Sequence, residues 1–177
     1  FVYFSQLTQS KAVSIAVAGH RTGMPRCMGT LYWQINDCWQ APTWSSIDYF
    51  GNWKALQYSV KKDYEDVAVV SKIEELGKEK YFLVSDSPQS FMCDLKYTIY
   101  NLNGKIQQEK KTQIPLKQGS VEALCPECLT KEKKKKSYLI YFEWNDANGL
   151  KKERWVSHIG REHKKADPSN VKFSIEN

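Results

Sequence analysis

Four of the six tryptophans, Trp33, Trp39, Trp44 and Trp53, fall within 21 positions, interleaved with Asn36, Asp37, Ser45, Ser46 and Asp48. A sugar ring offers C–H faces that stack on indole and hydroxyls that need directed donors and acceptors, so this mixture suits a carbohydrate pocket. Composition alone points more readily to core or helix packing. A second grouping, Cys125-Pro-Glu-Cys128, has zinc-knuckle spacing. It lacks a second pair, and His158 and His163 are not spaced as typical partners, so a turn or one small disulfide is favoured over a metal. Five cysteines, an odd number, leave the redox compartment open.

The elements that must position these residues change character near residue 65. A helix is expected over 5–21, capped by Ser5 or Thr8, with Leu7, Ala12, Ile15 and Ala16 at helical spacing and Gly23 and Pro25 ending it. Residues 28–35 are apolar on both faces apart from Thr30 and Gln34, the pattern of a parallel strand buried by helices. A loop over 37–46 precedes a second helix over 52–64, with Trp53, Leu56, Val60 and Tyr64 on one face and Trp53 as its buried anchor. Helix, strand, aromatic loop and helix make a fragment of an α/β architecture.

After Glu65 the pattern is all β. Short strands are expected over 67–73, 81–85, 91–101, 105–112, 120–124, 137–144, 151–158 and 171–175. Asn101-Leu-Asn-Gly104 and Asn145-Asp-Ala-Asn-Gly149 carry the clearest turn chemistry. Such a series predicts an immunoglobulin-like sandwich. Its aromatics Tyr138, Tyr141, Phe142, Trp144 and Trp155 alternate as core residues do, which argues against a glycan platform there.

The wording of residues 25–56 adds a resemblance. Pro25-Arg-Cys-Met-Gly-Thr-Leu-Tyr-Trp-Gln-Ile-Asn-Asp-Cys-Trp, then Trp44-Ser-Ser-Ile-Asp-Tyr-Phe-Gly-Asn-Trp-Lys-Ala-Leu, resembles the last strand, loop and helix of the (β/α)₈ barrel in β-mannosidases and related exo-glycosidases of glycoside hydrolase family 2. Phe4-Ser-Gln-Leu and His20-Arg fit as well. The resemblance covers residues 1–64 and is only architectural beyond them. It implies that 1–64 is the last helix–strand–helix portion of a TIM barrel and that 65–177 is the sandwich that follows. Residues 28–35 would then be barrel strand 8, whose C-terminal end opens on the substrate face.

On that footing Trp33 matches the tryptophan lining the subsite for the terminal sugar. Asn36 and Asp37 stand at the strand end, to bond substrate hydroxyls or to hold the loop. Trp44, with Trp39, either packs the loop or joins the substrate wall, and Asp48 caps or turns into the last helix. The resemblance further implies an exo-acting retaining β-mannosidase that takes a β-linked oligosaccharide and no cofactor. Retaining hydrolysis needs two carboxyl groups about 5 Å apart. In this family both are glutamates on earlier strands, so the chain is expected to be inactive alone. The competing classes are a non-catalytic sandwich scaffold or carbohydrate-binding module, and a related enzyme cleaving β-glucosaminides or β-galactosides. The family works in periplasmic, secreted or lysosomal settings, and nothing within these residues chooses among them.

Composition bounds the rest. With 41% hydrophobic and 26% charged residues in 177, the chain has ordinary globular balance. Its apolar runs are far shorter than the roughly 20 residues of a membrane span, so no membrane partner is expected. The charge of +6 is spread along the chain, and its densest run, 131–136, includes Glu132; a solvated loop is expected there and no nucleic-acid partner. Without an initiator Met or a signal-like start, the chain is expected to begin inside a longer protein.

Overall fold

The computed structural model describes residues 1–74, 78–124 and 137–158. Cys125, Cys128, His163, the lysine run 131–136 and the strand expected over 171–175 lie outside the described residues. Among the described residues two helices, α1 (Val2–Arg21) and α2 (Ala55–Asp63), precede seven strands. These are β1 (Val67–Glu74), β2 (Lys78–Ser85), β3 (Phe91–Asn101), β4 (Ile106–Leu116), β5 (Ser120–Leu124), β6 (Tyr138–Asn145) and β7 (Lys151–His158).

The strands form two antiparallel sheets, in the orders β1-β2-β5 and β4-β3-β6-β7. Alternation decides which side chains enter between them. Along β6, Tyr138, Ile140, Phe142 and Trp144 are buried while the residues between them are half-exposed. They meet Cys93, Leu95, Tyr97 and Ile99 of β3, and Val67, Val69, Tyr81 and Leu83 from the facing sheet. Phe142 lies at the centre, its ring 5.5 Å from Tyr81 and 6.1 Å from Tyr97. Removing such a ring from water contributes about 1.5–3 kcal/mol.

Turn chemistry sets the hairpins. Asn101 Oδ1 accepts the amides of Asn103 (3.1 Å) and Lys105 (2.9 Å), and Asp146 Oδ1 those of Asn148 (2.9 Å) and Leu150 (3.0 Å). Gly104 and Gly149 follow at φ 76°, a conformation that a Cβ disfavours. β4 runs four residues past the expected end at 112, through Pro115. That is tolerated because β4 is an edge strand and Pro115 owes no ladder bond on its free side.

The helices dock on the outer face of the three-stranded sheet, where Ala18 of α1 packs with Ala68, Val70 and Val84, flanked by Met24, Phe82 and Val121. Polar bonds complete the seam. Arg21 donates to the Asp63 carbonyl at 2.7 Å and to the Asp86 carboxylate at 2.8 Å. Asp63, at the end of α2, takes the Arg154 guanidinium of β7 at 2.7 Å and the Ser14 hydroxyl of α1. Arg154 also donates to the Val69 carbonyl at 3.0 Å, and Trp144 Nε1 to the Val67 carbonyl at 3.1 Å.

The first 64 residues depart from expectation in three respects. Helix α1 begins at Val2, without a side-chain cap; Thr8 instead donates to the Phe4 carbonyl one turn back, at 2.8 Å. No strand forms over 28–35, where the backbone makes only bridge contacts at its end. Among the described residues the run meets only a single parallel bridge at its end, Asn36 with Ile47, and one bridge does not make a ladder. Helix α2 starts at Ala55 rather than 52, because Asp48 and Asn52 close a turn immediately before it. Trp53 therefore precedes the helix at 42% exposure and is not its buried anchor; Leu56 and Val60 fill that role. Trp53 instead meets Tyr58, ring centroids 5.1 Å apart, beneath the Lys61 ammonium.

Candidate functional site

Residues 34–54 form three short backbone passes held side by side. Ser46 N donates to the Gln34 carbonyl (3.0 Å), Ile47 N to Ile35 (2.8 Å), Asp37 N to Ile47 (3.1 Å), and Lys54 N to Ser46 (2.9 Å). Asn36 and Ile47 thus bridge in parallel, and Ile47 and Trp53 antiparallel. The Ser46 hydroxyl, wholly buried, lies 2.9 Å from the Ile35 carbonyl, 2.7 Å from Gln57 Oε1 and 3.0 Å from the Tyr32 hydroxyl. Helix α1 contributes two glutamines: Gln9 Nε2 reaches the Trp44 carbonyl at 2.6 Å, and Gln6 Oε1 accepts the Ala55 amide at 3.1 Å, capping α2.

Asp37 anchors this loop. Its carboxylate is buried and takes the Lys54 ammonium at 2.9 Å and the Thr43 hydroxyl; Lys54 also reaches Ser45 Oγ at 2.6 Å. Thr43, then Lys54 and Ser45, hold the Asp37 carboxyl below its ordinary value against the opposing effect of burial. Asp48 is occupied too, accepting the Asn52 amide at 2.8 Å and the Phe50 amide at 2.9 Å, which likewise lower its pKa, the Asn52 bonds foremost. Both carboxylates of the aromatic segment are thus spent on loop geometry.

The tryptophans are presented outward. Trp33 is 72% exposed and Trp44 64%, and Trp39 is likewise on the surface, so neither Trp39 nor Trp44 packs the loop. A cis peptide bond joins Trp33 to Gln34. Asn36 is exposed, with its amide turned to the Asp37 carbonyl at 3.3 Å. Among the candidates the loop therefore displays Trp33, Asn36 and Trp44, and withdraws Asp37 beneath them.

No protein-family model matches this chain. A probable β-mannosidase of Caenorhabditis elegans is 35% identical over 114 residues, 59% of this chain and 12% of that protein. β-Mannosidase A of Aspergillus fumigatus is 35% identical over 106 residues, 57% of this chain and 11% of that protein. The crystal structure of a β-D-mannosidase from Dictyoglomus thermophilum superposes with a TM-score of 0.69 at 27% identity, over 89% of this chain and 20% of that one. Over the residues matched, the chain resembles a segment of the β-mannosidases of glycoside hydrolase family 2.

The fragment spans about an eighth or less of the curated relatives it matches. Its most telling polar residues were not candidates from sequence. Lys54 stands 17 positions from Asp37 and Thr43 reads as an ordinary loop residue, while Ser45 stands out only as one of the polar residues among the tryptophans. Only the fold brings them to one carboxylate. The one available signal was an Asp at the end of an apolar run with a Lys at the entrance to the next helix.

Proposed function

We propose that residues 1–64 are the last helix–strand–helix portion of a (β/α)₈ barrel, that 65–177 belong to the following sandwich, and that the protein containing them is an exo-acting, retaining β-mannosidase. Residues 28–35 take up strand geometry there, once neighbouring barrel strands supply the ladder. The observation that carries this reading is the display of Trp33 on a loop whose backbone is pinned by buried Asp37–Lys54, in a fragment similar to β-mannosidases.

In this reading Trp33 stacks on the apolar face of the terminal sugar, Asn36 bonds its hydroxyls, and Trp44 extends the wall. Asp37 acts from beneath, holding Asn36 and Trp44 in register through Lys54 and Thr43. The nucleophile and the general acid/base belong to other strands, since Asp37 and Asp48 are both engaged. Specific positioning of this kind raises the rate only as far as the contacts tighten in the transition state.

The test is hydrolysis of an aryl β-D-mannoside, with β-glucosaminide and β-galactoside as comparators. The 177-residue chain alone is expected to release no aglycone. The full-length protein is expected to prefer the mannoside, and Trp33→Ala to lower kcat/KM about tenfold or more, ~1.4 kcal/mol of lost transition-state binding. Turnover by the isolated chain, or an unchanged kcat/KM in Trp33→Ala, overturns the reading.

A further inference from the structure

The outer face of the four-stranded sheet is turned away from the helices, and it is not the bland surface that the alternation of its aromatics suggested. Register places Tyr141 directly opposite Trp155, on the side of the sheet away from Phe142 and Trp144. Their rings stack with centroids 4.5 Å apart, and Tyr100 joins Trp155 at 5.7 Å. Trp155 remains 55% exposed. Beside this aromatic group the sheet is hollowed by a concavity of about 940 Å³, lined by no residue of 1–64.

Several polar groups around the hollow are paired with one another. Lys96 lies between Glu109 (3.1 Å) and Glu143 (3.4 Å), Gln113 donates to Asp94 at 2.8 Å, and Tyr141 donates to Glu153 at 2.6 Å. That last bond pushes the Tyr141 phenol up to about 12, so it stays a donor at any physiological pH. Four lysines and three carboxylates line the hollow, close to balance, and a strongly charged ligand finds no strong complementary field. The apolar surface is a small ring cluster, whereas the core of a protein–protein interface is broadly apolar. Exposed indole at the edge of a hollow with donors and acceptors matches successive polyhydroxylated rings: a C–H face of one on Trp155, which stacks on Tyr141 at the rim, and hydroxyls of others on Lys96, Glu143 and Gln113 within it.

We propose that this face is a second, non-catalytic binding site for neutral, polyhydroxylated sugar chains. It stands on the sandwich residues alone and does not depend on the catalytic role given to Trp33. A site of this kind would hold a polymer on the protein while the chain end is processed elsewhere, raising the local concentration of ends.

Native gel electrophoresis of the 177-residue chain in gels cast with soluble glucomannan tests this. Retardation is expected for the unaltered chain and for Trp33→Ala. It should be abolished in Trp155→Ala, with an apparent dissociation constant raised about tenfold or more, and weakened in Glu143→Gln, a surface change that leaves the core intact. Thermal melts of both variants should match the unaltered chain. No retardation of the unaltered chain, or retardation that survives Trp155→Ala, overturns the proposal, as does retardation lost in Trp33→Ala alone. Dimerisation in sedimentation velocity that Trp155→Ala removes would assign the face to a second copy of the chain and equally overturn it.

Discussion

The two regions of this molecule solve the burial of apolar residues in opposite ways. Among the described residues, seventeen exposed large apolar side chains belong to residues 1–64, and only five to the sandwich. The sandwich closes its two sheets on each other, so that alternation alone hides every second residue. The helical region has one buried seam, against β1 and β2, and leaves Phe4, Leu31, Trp33, Ile35 and Phe50 facing water. Single exposed apolar residues are ordinary; a region in which they predominate marks a surface built to be covered. The difference teaches that equal hydrophobicity carries different stability, according to whether the partner surface lies in the same chain.

That contrast is sharpest at Phe142. Phe142→Ala is expected to cost about 3–5 kcal/mol, cavity included, and to unfold both regions together in urea. A loss below about 1 kcal/mol would show that the sheets are not packed through this ring.

Next in size is the seam between the regions. Asp63→Asn or Arg154→Met should each cost about 2 kcal/mol, because the remaining partner, half-buried Arg154 or fully buried Asp63, is left without its counter-charge. Their double mutant should cost clearly less than the sum, and strict additivity would refute the bond as the link between α2 and β7.

The aromatic loop should be the acid-sensitive part. The Asp37 carboxyl lies below its ordinary 3.8 in the folded chain, so its contribution is fully present above that value and is lost as pH falls through the lowered one. Tryptophan fluorescence should report a loop transition in that window, absent in Asp37→Asn. A transition of equal size in Asp37→Asn would place its origin elsewhere.

The smallest effect is expected at Leu31, 98% exposed. Leu31→Ser should change stability of this chain by no more than about 0.5 kcal/mol, despite removing as large an apolar side chain as many in the core. A larger loss in chemical denaturation would mean that residues 28–35 bury this side chain in solution.

Legibility in the sequence follows the same divide. The bounds of β3, β5 and β7 agree with those expected, since hairpin turns and two-residue alternation are local signals. The two Asn/Gly turns were visible for the same reason. Alternation does not say which phase of a strand faces inward: it reads both Tyr141 and Trp155 as core, yet the two are paired on the outer face of the sheet. Residues 28–35 read as strand because their composition suits one, yet strand formation is a property of partners and not of the segment. The candidate loop was half legible. Its tryptophans stood out by type, whereas the buried pair Asp37–Lys54 depends on two backbone passes meeting, which no spacing rule anticipates.

The bonds that Arg154 and Trp144 make to the carbonyls of Val69 and Val67 have a further consequence. Among the described residues β1 is the outermost strand of its sheet, and its outward carbonyls are the ones a foreign strand would seek. Arginine and indole occupy two of them from within the same chain. The valine-rich run Val67-Ala-Val-Val is thereby denied as a template for intermolecular sheet growth, so the same side chains that stitch the sandwich also guard it against fibrillar aggregation.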